Sequence, residues 1–326
     1  MKKLFFAFAA FAAFAALLSS CSMDDTASGV NSAVEEQIVT FDVSSPELTT
    51  RYGEGNEATM LEWWVYEVSS NGRATLISNL YGSKTLENKQ TTVNLKLVQG
   101  RRYNILFWAH SPNISDTKSN SGVGHSEAVY CVDPENATMD IYYEKMEANK
   151  ESYDAFYKYY NLGVVTSSTN GGTVSLTRPF AQVNVATSKA DIEAAKLADL
   201  NVKYTGIGVK AYTTLNFVDG KVSNAKDIKF KTTQKASGEI EYNGVKYEII
   251  SMNYLLVEKA LVELNLRLQE STTAGAEVLT RDYSQISVQR NHRTYILGDI
   301  YTQPAQFNVI IKEDFVVGGD FYEDEN

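Results

Sequence analysis

Cysteine, histidine and proline are scarce in this chain of 326 residues, at two, three and five copies. Two cysteines cannot build a disulfide framework, so stability has to come from packed cores. His110, His125 and His292 have no second His or Cys at metal-ligand spacing. The chain has no G-x-S-x-G elbow and no H-E-x-x-H helix. The glycine pairs Gly53/Gly55 and Gly122/Gly124 neither follow a strand nor open a helix, so they do not read as phosphate cradles. Basic residues number 30 against 40 acidic ones, a net charge of −10. Such a chain is a poor candidate for binding nucleic acid or anionic lipid, because both are polyanions, and no nucleic-acid partner is expected. The expectation is a protein that is not an enzyme and needs neither cofactor nor metal.

Long hydrophobic runs are also few. The one that stands out is Leu4 to Leu18, built from Phe, Ala and Leu behind Met1-Lys2-Lys3. It is shorter than the roughly 20 residues a spanning helix needs, so it reads as a cleaved secretory leader. It ends in Leu18-Ser19-Ser20-Cys21. That ending resembles a bacterial lipobox, in which the cysteine is acylated and becomes the new N-terminus. Residues 1–20 are then the signal peptide and Cys21 the lipidated residue, the only membrane attachment expected. Losing Lys2 and Lys3 takes the net charge from −10 to −12. The acidic start Ser22-Met23-Asp24-Asp25 resembles the export signal of surface lipoproteins in the Bacteroidota. With Cys21 lipidated, Cys131 in the apolar run Ala128 to Val132 stands alone and reads as a small buried hydrophobe.

What the chain has in quantity is β-formers: 20 Tyr and 14 Phe, with many Val and Thr. After a polar tether, Gln37 to Val43 puts Val39, Phe41 and Val43 on one face and Thr40 and Asp42 on the other, a half-buried strand. Residues 44–56 contain Pro46, Gly53 and Gly55 and read as an exposed loop. Arg51 lies in it, the first Lys or Arg after Lys3 and so the first place a trypsin-like protease could cut.

Further strands are expected at Leu61–Val68, Thr92–Leu97, Tyr103–Ala109, 138–143 and Thr173–Leu176. Tyr103–Ala109 is apolar on both faces, as in a central strand. From Phe180 onward strands recur at 180–186, 206–217, 245–250, 261–269, 285–289, 295–301 and 307–311. One helix interrupts them at Ser188–Leu200, capped by the Ser188/Asp191 pair. Asn71-Gly72 and Asn243-Gly244 read as tight turns. The pattern predicts a mainly β protein of two tandem sandwiches joined near residue 178. The aromatic cluster Tyr153 to Tyr160 reads first as a packed strand or turn and second as a platform for sugar rings.

Four fragments together resemble the fimbrillin family, the pilins and pilin-like lipoproteins of the Bacteroidota. They are Tyr103 to Ala109, Tyr153 to Tyr157, Leu176 to Val183 and Asn291 to Gly298. The resemblance implies two transthyretin-like β-sandwich domains, 52–178 and 179–326, with a short helix in the second, behind a propeptide at 21–51. It implies a structural subunit, exported to the outer membrane as a lipoprotein and cut between Arg51 and Tyr52 by an arginine-specific protease. Its partners would then be other fimbrial subunits, self or related, with a host or bacterial surface ligand for adhesion. The displaced strand would carry Val39, Phe41 and Val43. The donor strand would carry Phe307, Val309 and Ile311, or Phe315, Val317 and Phe321 if 307–311 is a permanent strand of its own domain. The alternative is a lipid-retained surface protein, tip or anchor subunit that recognises a glycan or protein.

Overall fold

The computed structural model describes residues 35–45, 57–118, 128–273 and 279–312, and the backbone of Phe321–Glu323. Residues Glu35–Asn326 group as one unit. The fold is mainly β, with four sheets and one short α-helix among the described residues.

The first sandwich is built on the strand Arg102–His110. It lies between Met60–Val68 and Phe156–Val164 and pairs antiparallel with both. Its alternating side chains serve two cores. Ile105, Phe107 and Ala109 face a cluster that also holds Val39, Phe41 and Val43. Leu106 and Trp108 face a larger cluster shared with the C-terminal half. An all-apolar run is thus explained by burial on both sides. The cover on the first side is a three-stranded sheet in the order Gly172–Ser175, Glu36–Ser44, Gln90–Val98.

The C-terminal sandwich packs two larger sheets. Six strands run in the order 239–242, 245–256, 180–188, 293–298, 307–312, 321–323. Every residue of Phe180–Ser188 is buried, because this strand is central and covered on both faces. The facing sheet centres on the long strand Tyr204–Asn216. Its Thr214–Asn216 end pairs with Thr138–Asp140, so hydrogen bonding crosses residue 178 and draws strands 115–117, 130–133 and 138–141 into this sheet. Asn243 and Gly244, both with φ > 0, form the tight turn between Glu239–Tyr242 and Val245–Leu256.

The helix spans Lys189–Leu197, shorter at its C-terminus than the sequence pattern suggests. Ser188 accepts from the Asp191 N–H at 3.1 Å, the expected cap. Asp199 at φ 60° then closes the helix with bonds from Leu200 N–H to Ala195 O and from Asp199 N–H to Lys196 O. The Asp191 carboxylate turns away from the cap. It accepts from Thr187, the Thr302 hydroxyl and the Tyr301 and Thr302 N–H groups, and so pins the 299–302 turn.

Two buried ion pairs carry the sharpest energetic consequences. Asp154 and Arg178 are 0% and 1% exposed and bonded through two N–H···O contacts, with the guanidinium 4.7 Å from the Phe156 ring centre. Burial pushes the Asp154 carboxyl up, and Arg178 opposes that shift. Removing one partner strands the other charge in apolar surroundings. Arg178→Met should therefore lower the unfolding free energy by about 3–5 kcal/mol in denaturant titration.

Glu270 is the second case. It is fully buried, bonded by Arg281 at 3.0 Å through one oxygen, with no hydrogen-bond partner on the other. Burial pushes its carboxyl up from 4.5 to about 7, against the pull of Arg281. The folded state therefore holds this proton more tightly than the unfolded chain. The stability gained is fully present below pH 4.5 and is lost as pH rises through about 7. Gln mimics the protonated form. Between pH 4.5 and 8, Glu270→Gln should gain stability relative to the unmutated chain, on the order of 3 kcal/mol, in paired unfolding curves.

Candidate functional site

The strand Glu36–Ser44, the leading strand, occupies the middle of its sheet. It pairs antiparallel with Gln90–Val98 along all nine residues, from Glu36↔Val98 to Ser44↔Gln90. On its other edge it pairs parallel with Gly172–Ser175, from Phe41↔Gly172 to Ser44↔Ser175. The two flanking strands touch each other nowhere in the ladder, so the leading strand alone joins them. Its ends are fastened as well. Gln99 N–H donates to Glu35 O at 2.8 Å, and Leu176 N–H donates to Ser44 O at 2.9 Å.

The inward face carries Val39, Phe41 and Val43, exposed by no more than 1%. Phe41 is the centrepiece. Its ring lies 5.6 Å from that of Phe107 and meets Tyr160 edge-on at 5.8 Å. The Tyr160 hydroxyl donates to Gly171 O at 2.9 Å. Gly171 presses so closely that a Cβ there would come within 2.4–2.6 Å of the Phe41 ring. The outward face is polar: Thr40 donates to Asn94 and Thr92 to Asp42. Ile38 is the exception, 64% exposed. Burial of the three inward residues is worth about 5–9 kcal/mol at about 1.5–3 each. Vacating the seat would also leave two rows of unpaired N–H and C=O groups beside an apolar trough.

The structure brings Val39, Phe41 and Val43 together on one face and places the other candidates elsewhere. Phe307–Lys312 belongs to the six-stranded sheet, paired with Arg293–Gly298 on one edge and, at Ile310–Lys312, with Phe321–Glu323 on the other. Phe307 and Val309 are half-buried and pack on the larger core; Ile310 and Ile311 are buried at 0% and 9%. Phe321 opens the edge strand Phe321–Glu323. Cys21, Arg51, Tyr52, Phe315 and Val317 lie outside the described residues, as does His125. Cys131 is free and buried. His110 is buried, with Nδ1 2.8 Å from Ser111 O and Nε2 3.3 Å from Glu62. His292 Nδ1 donates to Arg290 O at 2.8 Å. Among the described residues no three His, Cys, Asp or Glu side chains converge as a metal site.

Sequence reasoning passed over Gly171, Tyr160 and the Gly172–Ser175 edge as parts of this seat. Asn170-Gly171-Gly172 signalled a turn, but nothing local signalled that Phe41, about 130 residues away, would lie on it.

Comparison with other proteins gives one family and several folds. A family model described as a family of unknown function (DUF6562) matches residues 31–321. No curated protein matches. A structure from Bacteroides thetaiotaomicron described as putative polysaccharide binding proteins (DUF1812) is 11% identical, with TM-score 0.47, covering 89% of this chain and 99% of that one. The fimbrial anchor protein Mfa2 from Porphyromonas gingivalis is 12% identical, with TM-score 0.45, covering 88% and 99%. A fimbrial assembly protein from Parabacteroides distasonis is 11% identical, with TM-score 0.42, covering 90% and 99%.

The tight Phe41–Gly171 contact yields a direct test. Gly171→Ala should cost about 1–3 kcal/mol by overpacking a filled core. The loss should appear in thermal unfolding together with faster proteolysis of the leading strand.

Proposed function

The chain belongs to the family of unknown function DUF6562, and we propose for this member the role of a fimbrial subunit that polymerises by exchanging its leading strand. In this account the protein is exported as a lipoprotein through Cys21 and reaches the outer surface. It is cut after Arg51 by an arginine-specific protease, and a strand of a neighbouring subunit fills the vacated seat. The observation that carries the proposal is the position of Glu36–Ser44 in the middle of a sheet whose other two strands depend on it. Among the described residues only Glu35 precedes this strand, so its covalent link to the rest of the described fold runs through the segment that follows it. A single cut in the following segment frees it, and Arg51 stands seven residues beyond Ser44.

An incoming strand must repeat the same alternation, apolar inward and polar outward. Phe307, Val309 and Ile311 already serve their own sheet, which favours 315–322, with Phe315, Val317 and Phe321, as the donor. Its described end lies in the strand Phe321–Glu323, which among the described residues pairs on one edge only, and an edge strand is the least costly to withdraw. Donor and acceptor are different surfaces of one molecule, so the contact is head-to-tail and propagates as a filament.

A second reading rests on the same seat. The leading strand is bonded along its full length to Gln90–Val98 and fastened at both ends, which also suits a subunit that never gives it up. Such a protein would stay on its lipid as a tip, anchor or surface binding protein that recognises a glycan or protein.

N-terminal sequencing of the protein taken from the cell surface separates the two. A stalk subunit begins at Tyr52, whereas a blocked, lipidated Cys21 contradicts cleavage and supports retention. Arg51→Ala should abolish the high-mass ladder in unheated gels; persistence of the ladder would overturn the cleavage step.

A further inference from the structure

We propose that the seat of the leading strand selects its occupant at three successive inward positions, and that the matching segment is 315–319 of a second copy of this chain, with Phe315 in the place of Phe41. This rests on the strand-exchange reading above and names the residue that sets the register of the exchange. Residues 315–319 lie outside the described residues, and the match is one of sequence.

The seat is not uniform along its length. Glu36–Thr40 pairs with the 90–98 strand alone, whereas Phe41–Ser44 pairs on both edges, with that strand and with Gly172–Ser175. The doubly paired half therefore does most to fix an occupant's register. Its inward row is Phe41, Val43 and then Ser45, exposed by 0, 1 and 4%. Each position has its own shape. The first is a slot for a flat ring, with Phe107 on one side, Tyr160 edge-on and Gly171 flush against it. Gly172, beside Phe41 in the ladder, holds φ 67° and donates its N–H to Asn170 Oδ1 at 3.3 Å, a backbone that glycine adopts without strain. The second is aliphatic, with Val174 beside Val43. The third is small and buried; Ser45 N–H donates to Lys89 O at 3.0 Å. A slip of one residue would turn the polar face inward. A slip of two would put an aliphatic residue in the ring slot and the ring beside Val174, a cavity and an overpacked site together.

The chain offers few matches to this row. Of its 14 Phe, three stand two residues before a valine: Phe41, Phe307 and Phe315. Phe307 is followed at the third position by Ile311, too large for the place of Ser45. Its ring is also engaged already, edge-on to Tyr283 at 5.0 Å. Phe315 is followed by Val317 and Gly319, an aliphatic and then a small residue, as the seat requires. Phe321 would bring Glu323 to the place of Val43, a carboxylate in an apolar site. With Phe315 in the slot, Val316 takes the outward place of Asp42, on the face where Ile38 is 64% exposed. Glu313 falls at the Val39 position, so the match is confined to the doubly paired half.

The test uses the full-length chain with a site-specific protease sequence in place of residues 48–53. Cutting it after folding leaves the leading strand seated but no longer covalently held. A fluorescent peptide of residues 313–322 is then titrated to equilibrium and followed by anisotropy. Saturable displacement of the leading strand is expected. Phe315→Ala in the peptide should weaken binding at least about tenfold, and Gly319→Ile should do the same by overpacking the small site. Phe321→Ala should leave binding unchanged, and a peptide of residues 305–314 should bind at least about tenfold more weakly. The proposal is overturned if the 313–322 peptide displaces nothing by about 1 mM, or if Phe315→Ala binds undiminished. It is equally overturned if Phe321→Ala weakens binding as much as Phe315→Ala, or if the 305–314 peptide binds as well. These outcomes are separate from processing in the cell. A mature N-terminus at Tyr52 with a peptide that fails to bind removes Phe315 from the account and leaves strand exchange standing. Peptide binding by a protein that keeps Cys21 on the cell surface supports the selective seat and removes the cleavage step.

Discussion

The first sandwich depends on one strand that is central in its sheet and is the first described strand of the chain. Glu36–Ser44 joins Gln90–Val98 to Gly172–Ser175, which have no other bond between them in the ladder. Phe41 closes the core beneath it against Phe107, Tyr160 and Gly171. A sheet that lost this member would be left with two separated edges and an uncovered apolar trough, a state that demands another strand. The functional proposal follows from this dependence. The molecule has a seat that cannot stay empty, and the described part of its occupant is linked to the rest of the described fold only through the segment after Ser44.

Much of this was legible along the chain, for local reasons. Val39, Phe41 and Val43 alternate with Thr40 and Asp42, and period two fixes a strand and its buried face together. Tyr103–Ala109 lacks that alternation because it is buried on both sides, which marks a central strand. Ser188 with Asp191 named the helix start. The remaining features depended on partners remote in sequence. The parallel pairing of Phe41 with Gly172 cannot be read from either segment alone. Asp154 and Arg178 each sat in an apolar stretch, a hint that each needed a partner, but nothing linked one to the other. Phe307, Val309 and Ile311 alternate well enough to serve either an internal or an exchanged strand; Ile310, buried at 0%, is what makes this strand two-sided within its own sheet.

The joint between the halves carries buried charged groups at its centre. Arg178 and Asp154 bond where the chain leaves the first sandwich, and Arg290 ties the 217–220 and 257 segments together nearby. The strands Ser115–Thr117, Tyr130–Asp133 and Thr138–Ile141 join the C-terminal sheet across the same region. Charge burial here is tolerable because each group has a bonded partner.

The most direct test of the account separates the seat from its occupant. A chain of residues 52–326, lacking the leading strand, should be titrated with a synthetic peptide of residues 35–45. The account predicts saturable, stabilising binding of this peptide, and none of a peptide carrying Phe41→Asp, with the empty chain self-associating in the absence of peptide. A stable, monomeric 52–326 chain that ignores the peptide would contradict it.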